Sequence, residues 1–213
     1  QHNIPFYVKD VDSKFFNHFI MTDLRNYLRL AYGDKVKHMK LVEDIRSRFK
    51  GYVTTQHLKE LATYPVDDNL WDSLSKIPSM KPYQKAFFKE CKVSFTKMKN
   101  MKPVDAINMV LDDLGYEKCM DKYIEFIGMN KESTKRVLST IKGIAEASAT
   151  LVDFYKTLDD LANAMKSAKE NQGKNAVTLS TFHASKGLEY ETVFLIDLQE
   201  GQCPSLQELN SFN

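Results

Sequence analysis

The chain has 213 residues, 43% of them hydrophobic and 27% charged, which is enough to bury a sizeable core and ordinary for a soluble globular protein. No apolar run approaches the roughly 20 residues of a membrane-spanning helix, and the start, QHNIPFYVKD, lacks the basic-then-apolar layout of a secretion signal. A formal net charge of +2 is too small to mark a partner, so the placement of charge matters more than its sum.

Three cysteines, Cys91, Cys119 and Cys203, are far apart and make neither a CxxC pair nor a zinc spacing. Reduced thiols and a cytoplasmic location are expected, with no metal site. Taken in chain order, the first element is IPFYV (Ile4 to Val8), whose β-branched and aromatic residues predict a short strand. A strand this close to the start suggests a piece excised from a longer protein. Asp12 or Ser13 is expected to cap the next element, a helix through SKFFNHFIMTDLRNYLRLAY. Its apolar residues Phe16, Phe19, Ile20, Leu24, Tyr27, Leu28 and Ala31 recur at helical spacing. Gly33 and Asp34 end it.

From Lys35 to Lys166 the pattern is almost wholly helical. The predicted helices are Val36–Arg48, Thr55–Tyr64, Asp67–Lys76, Pro82–Lys99, Pro103–Leu114, Glu117–Ile127, Lys131–Ala149 and Leu151–Lys169. Glycines and prolines fall between them as punctuation. Trp71, the lone tryptophan, shares helical spacing with Leu70 and Leu74 and is expected in the core. SAKENQGKN (Ser167 to Asn175) reads as a polar linker, after which the signal switches to strands, AVTLST and TVFLID. A lone strand leaves its backbone groups unpaired. Ile4–Val8, Val177–Thr181 and Val193–Asp197 are therefore expected to share one sheet, with the helical block inserted between them. The fold class is mainly α, attached to a partial α/β unit.

Between the last two strands lies a short polar loop with His183, Ser185, Lys186, Gly187 and Glu189. A plain surface turn is the simplest reading. A binding edge is the other, because α/β sheets bind ligands outside the carboxyl ends of their strands. Thr181 and His183 are short donors suited to phosphate or sugar. Gly187 permits close backbone approach, Lys186 adds a cation, and a carboxylate such as Glu189 can hold ribose hydroxyls. Alternation sends Phe182 inward, and Asp197 is placed to cap the turn that follows.

The stretch TFHASKGLEYETVFLIDLQEG resembles motif V of the UvrD/Rep/PcrA-type superfamily-one DNA helicases, whose pattern is roughly T-x-H-x-[AS]-K-G-L-E-[FY]-x-x-V-[FI] followed by E-G-x-x-P. The matching residues are Thr181, His183, Ser185, Lys186, Gly187, Leu188, Glu189, Tyr190, Val193 and Phe194, then Glu200, Gly201 and Pro204. IPFYVKDVDSKFFNHFIMTDLRNYLRL is similar to a second segment of the same family. The resemblance implies that residues 1–31 and 173–213 are parts of the RecA-like subdomain 2A, and that residues 32–172 are the helical 2B insertion. It implies an ATP-dependent DNA helicase that translocates on single-stranded DNA with 3′-to-5′ polarity and unwinds duplex, a DNA-repair type of activity using ATP and Mg²⁺. Thr181, His183 and Ser185 would face single-stranded DNA, and Lys186, Gly187 and Glu189 the nucleotide. The implied partners are DNA, single-stranded and at the duplex junction, and the remaining helicase domains.

No GxxxxGK[ST] phosphate loop and no Walker B pair occurs, and the arginine-bearing motif VI is not reached. This piece alone is expected to hydrolyse nothing and to hold no cofactor, since NTP hydrolysis needs those parts together.

Two basic stretches remain. Lys81, Lys85, Lys89 and Lys92 make one stripe on a predicted helix, opposite Phe87, Phe88, Cys91, Phe95 and Met98. The plain reading is a solvated face; the other is a phosphate-tracking face. RSRFKGYVTTQHLKEL places a basic cluster before a glycine turn and a Thr-capped helix. The family's corresponding element has a Gly-Ile-Gly core that grips duplex; here the residues are Gly51, Tyr52 and Val53. Lys50, Gly51, Tyr52, Thr54 and Thr55 are the duplex-contact candidates, against a simple helix-turn-helix corner. His18 is expected to be a partly buried or surface residue. The rival functional class is a helical protein-interaction or regulatory module, for instance of a helicase-nuclease.

Overall fold

Proline and asparagine punctuation in the sequence becomes helix boundaries in the molecule. The computed structural model describes residues 4–9, 15–31, 35–63, 69–196 and 198. Strand β1 (Phe6–Val8) is followed by α1 (Phe19–Leu30) and α2 (Lys35–Ile45), and the latter tightens into a 3-10 turn at Arg46–Arg48. Then come α3 (Thr55–Thr63), α4 (Leu70–Lys76), α5 (Pro82–Met98), α6 (Pro103–Leu111), α7 (Tyr116–Phe126), α8 (Lys131–Glu146) and α9 (Leu151–Ala168). A 3-10 turn at Lys169–Asn171 leads to β2 (Val177–Leu179) and the four-residue α10 (Phe182–Ser185). All eight helices expected between Val36 and Lys169 form. No described helix is long and apolar enough to cross a membrane.

The caps explain the boundaries. Asn69 accepts the Trp71 N–H at 3.0 Å, and Asn130 accepts that of Ser133 at 2.9 Å. Thr150 and Asp153 bond reciprocally at the start of α9, satisfying two donors that the helix cannot. Pro82 and Pro103 open α5 and α6, where a missing N–H costs nothing.

α1 begins later than its periodicity suggests. Phe15 to Asn17 form a turn, and His18, in extended conformation, is the N-cap; its Nδ1 accepts the Ile20 N–H at 3.3 Å. The expected caps Asp12 and Ser13 lie outside the described residues.

The core is aromatic. Phe49, fully buried, packs its ring against Tyr27, Trp71, Phe87 and Phe88 at centroid separations of 5.9, 6.1, 5.2 and 6.3 Å. Trp71 lies flat on Phe95, 4.8 Å between centroids and 2° between planes, which clamps α4 to α5. The expected core placement of Trp71 holds.

One polar network sits inside this core. Asp23 on α1 has no solvent exposure and accepts from Arg48 Nε and Nη2, at 2.5 and 2.7 Å, and from the Tyr116 hydroxyl at 2.8 Å. Three segments distant in sequence are thereby joined. Burial holds the Asp23 carboxyl above its ordinary range, although Arg48 and Tyr116 favour its charged form. Arg48 in turn lies 4.8 Å from the Tyr123 ring centroid.

β1 and β2 form a two-stranded parallel sheet with Phe6 opposite Val177, Tyr7 opposite Thr178 and Val8 opposite Leu179. The expected third strand does not join it. Val193, Phe194, Leu195 and Ile196 are in no strand and are 62, 83, 57 and 72% exposed. A strand is held by neighbours at its edges and by packed layers on its faces, and among the described residues this segment has neither. Asp197 and its expected capping role lie outside the described residues.

Candidate nucleic-acid interface

Two places carry the sequence candidates. The first is the carboxyl edge of the sheet. Because β1 and β2 run parallel, the residues that follow both strands emerge on the same side. The ladder is closed by Val177 N–H to the Pro5 carbonyl at 2.9 Å and by Lys9 N–H to the Leu179 carbonyl at 3.2 Å. Asn171 fastens the outer side, its Nδ2 donating to the Phe6 carbonyl at 2.9 Å.

Beyond β2 the chain turns into α10 rather than an open loop. Thr181 is its N-cap, and its Oγ1 accepts the Ala184 N–H at 3.2 Å. Ser185 Oγ donates to the Phe182 carbonyl at 3.0 Å. Thr181, His183, Lys186 and Glu189 are all exposed, and Ser185 is half-buried. Gly187 has φ +79, and no atom lies within 4 Å of where a Cβ would stand. That combination leaves its backbone open to a ligand.

Phe182 is 60% exposed rather than buried, because helical geometry replaces the strand alternation on which its inward placement depended. A further residue, Lys9, belongs to this edge: its Nζ donates to the Ala184 carbonyl, tying the end of β1 to α10. Nothing local in VKD marks it, since the contact spans 175 positions.

The second place is the corner between the Arg46–Arg48 turn and α3. Thr54 caps α3 in a reciprocal box with His57: Thr54 Oγ1 accepts the His57 N–H at 3.1 Å, and His57 Nδ1 accepts the Thr54 N–H at 3.2 Å. Thr55 Oγ1 accepts from Arg46 Nη1 at 2.5 Å. Both hydroxyls accept, so both retain an O–H to donate outward, and both residues are exposed.

Gly51 is different. It is buried, and a Cβ there would fall 2.7 Å from Phe88 and 2.8 Å from Phe49. The glycine is required by packing beneath the loop, not by approach from outside. Gln84, 3% exposed, donates from Nε2 to the carbonyls of Gly51 at 2.7 Å and Tyr52 at 3.2 Å. Its Oε1 accepts the Lys81 N–H at 3.0 Å. This one side chain therefore fixes both the loop and the start of α5. Sequence reasoning missed it; Gln at the third position of α5 is a capping-box signal for the helix start, but its reach to the Gly51 and Tyr52 carbonyls more than thirty residues away has no local signature.

Lys81, the N-cap of α5, and Lys89 and Lys92 within it are exposed, Lys85 of the same stripe is half-buried, and Phe87, Phe88, Cys91, Phe95 and Met98 are buried as the spacing predicts. Lys92 pairs with Asp72 at 2.6 Å. Burial drives the Cys91 thiol well above its ordinary range, consistent with a packing role. No group of three or more His, Cys, Asp or Glu side chains among the described residues could hold a metal ion.

A parallel strand pair separated by a long helical block, with the turn at residues 181–189 just after the returning strand, fits one class of chain. It belongs to the UvrD-like helicase C-terminal domain family, matched from residue 1 to residue 212. Among similar curated proteins, the ATP-dependent DNA helicase Rep of Buchnera aphidicola subsp. Acyrthosiphon pisum is 28% identical over 232 residues, covering 99% of this chain and 35% of that protein. The ATP-dependent DNA helicase PcrA of Bacillus subtilis is 27% identical over 214 residues, covering 92% of this chain and 28% of that protein. DNA helicase II of Rickettsia typhi is 22% identical over 213 residues, covering 90% of this chain and 31% of that protein. The chain thus spans about a third of the length of the curated relatives it matches. No solved structure matches it.

Proposed function

We propose that the chain is part of an ATP-dependent DNA helicase that translocates on single-stranded DNA and unwinds duplex. In this reading residues 1–31 and 173–213 belong to subdomain 2A, and residues 32–172 are the 2B insertion. The observation that carries it is the parallel pairing of Phe6–Val8 with Val177–Leu179 across the intervening helical block. A helical block inserted between two strands of a common sheet accounts for this pairing of strands so far apart in sequence.

Thr181, His183 and Ser185 then contact the single strand, Thr181 and His183 supplying hydroxyl and imidazole donors to its backbone. Lys186, Gly187 and Glu189 serve the nucleotide, the open backbone at Gly187 taking the close approach. Lys50, Tyr52, Thr54 and Thr55 contact the duplex backbone. ATP and Mg²⁺ supply the driving reaction in the whole protein; the phosphate loop and the charge-stabilising arginines come from outside this chain.

Fluorescence anisotropy of a labelled hairpin with a single-stranded tail tests this reading. Salt-sensitive binding weakened by Lys50→Glu supports it, because a lost phosphate contact lowers affinity and flattens the salt dependence. Absence of binding at low salt would favour a protein-interaction module instead. The 213-residue chain alone is expected to release no phosphate from ATP with or without DNA, measured with malachite green.

A further inference from the structure

Beside the Lys50–Thr55 corner lies a cleft of ≈ 410 Å³, bordered by Lys50 and Tyr52 on one side and by the end of α6 and the start of α7 on the other. Lys118 and Lys122 stand on its α7 wall four residues apart, on one helix face, and both are exposed. Neither makes an ion pair among the described residues. Lys50, the third ammonium, lies 5.0 Å from the Phe87 ring centroid and makes a long 3.9 Å contact to Glu90, itself 61% exposed.

Cys119 also lines the cleft. Burial raises its thiol above the ordinary range, while the Lys122 and Lys50 charges pull it the other way. Asp112 and Glu117 border the cleft too. With Lys50 shared with Glu90, Lys118 and Lys122 are the cations left for a ligand, and the neighbouring Asp112 and Glu117 carboxylates repel a multiply charged free phosphate more than a singly charged phosphodiester.

The opposite wall is unusual. Tyr52 has φ +46, in the left-handed region, and no other described residue except glycine has a positive φ. Its N–H is tied to the Phe49 carbonyl at 3.0 Å and its own carbonyl to Gln84 at 3.2 Å, so the surrounding contacts impose the strained backbone. The Tyr52 side chain, 50% exposed, lines the cleft from this fixed backbone. By contrast, the Lys81, Lys85 and Lys89 stripe lies on a single helix.

We propose that this cleft seats a backbone phosphodiester of the duplex, with Lys118 and Lys122 as its binding residues on α7 and Tyr52 as its fixed wall. The inference rests on the duplex-contact reading of the Lys50–Thr55 corner and extends that surface to α7. The test is anisotropy of a labelled duplex hairpin with the whole protein at about 50 to about 200 mM salt. The double variant Lys118→Gln, Lys122→Gln is expected to bind about ten-fold more weakly at low salt and to lower the log–log salt slope by about 1 to 2. Glu117→Gln is expected to tighten binding, a gain that misfolding cannot produce. Lys156→Gln, the same charge loss on α9, is expected to leave binding unchanged. Normal duplex binding by the double variant, alongside weakening by Lys50→Gln, would overturn the inference and leave the broader reading standing. No duplex binding by the unmutated protein would overturn both. Displacement of the hairpin by inorganic pyrophosphate at matched ionic strength would make the cleft a small-anion site and overturn the inference.

Discussion

The helical block and the strand region are built on opposite terms. The block closes on itself: its helices carry their own caps, its aromatic rings bury one another, and the interior carboxylate of Asp23 on α1 has three hydrogen bonds. The strand region is unfinished among the described residues. Val177 and Leu179 are 52 and 44% exposed, and the apolar run from Val193 to Ile196 is more open still. The difference teaches where each region finds its stability. The first takes it from within. The second offers its apolar residues to something else, which in the helicase reading is the rest of the motor.

The sharpest way to break that contrast pairs two phenylalanines. Phe49→Ala should cost about 3–5 kcal/mol of stability by denaturant titration, because a buried ring leaves a cavity. Phe194→Ser in the same chain should stay within about 0.5 kcal/mol, as exposed sites do; comparable losses would mean that the terminal segment is packed.

Asp23→Ala comes next. Removing the carboxylate leaves Arg48 and Tyr116 without their buried partner, and a loss of about 3 kcal/mol is expected, read as a lowered denaturant midpoint. Gly51→Ala should cost about 1–3 kcal/mol through overpacking against Phe88 and Phe49. Gly187→Ala, with open space around it, should cost less, through its backbone conformation alone. Equal losses at the two glycines would contradict the assignment of one to packing and the other to an open edge.

The smallest effect belongs to His18. Its imidazole is held below the ordinary 6.5 by burial, opposed by nearby Asp23, and its unprotonated Nδ1 caps α1. The unfolded chain takes up the proton first as pH falls. The cap's contribution, about 1 kcal/mol, is therefore fully present above 6.5 and is lost as pH drops through the lower folded value. Melting temperatures of the unmutated chain and of His18→Asn should diverge as the pH falls below 6.5, the asparagine cap being insensitive. Parallel profiles would remove His18 from the cap.

What the sequence revealed follows from how far each signal reaches. Helix periodicity and proline or asparagine caps are local, so α2 to α9 and the burial of Trp71 were legible. The pairing of β1 with β2 was legible by elimination, because neither strand can stand alone. Alternation misplaced Phe182, since it presumes a strand where the chain had already begun α10. Hydrophobicity misassigned Val193–Ile196, since it records a preference for burial and not whether a covering layer is at hand. Lys9, Gln84 and the Asp23–Arg48–Tyr116 network went unseen because each joins positions far apart in the chain, the last spanning 93 residues. The cleft beside Tyr52 was hidden for the same reason, its lysines coming from the Lys50 corner and from α7.

The in-register parallel ladder also limits how this chain can be shortened. β1 ends at one rim of the sheet and β2 begins at the other, so the backbone between them must travel the length of the strands before it can return. No tight turn accomplishes that; a crossover of about a dozen residues does. A trimmed version that discarded every helix would strand Val8 and Val177 at opposite ends, whereas one that kept a single helix, such as α1 or α9, as a return path could preserve the ladder.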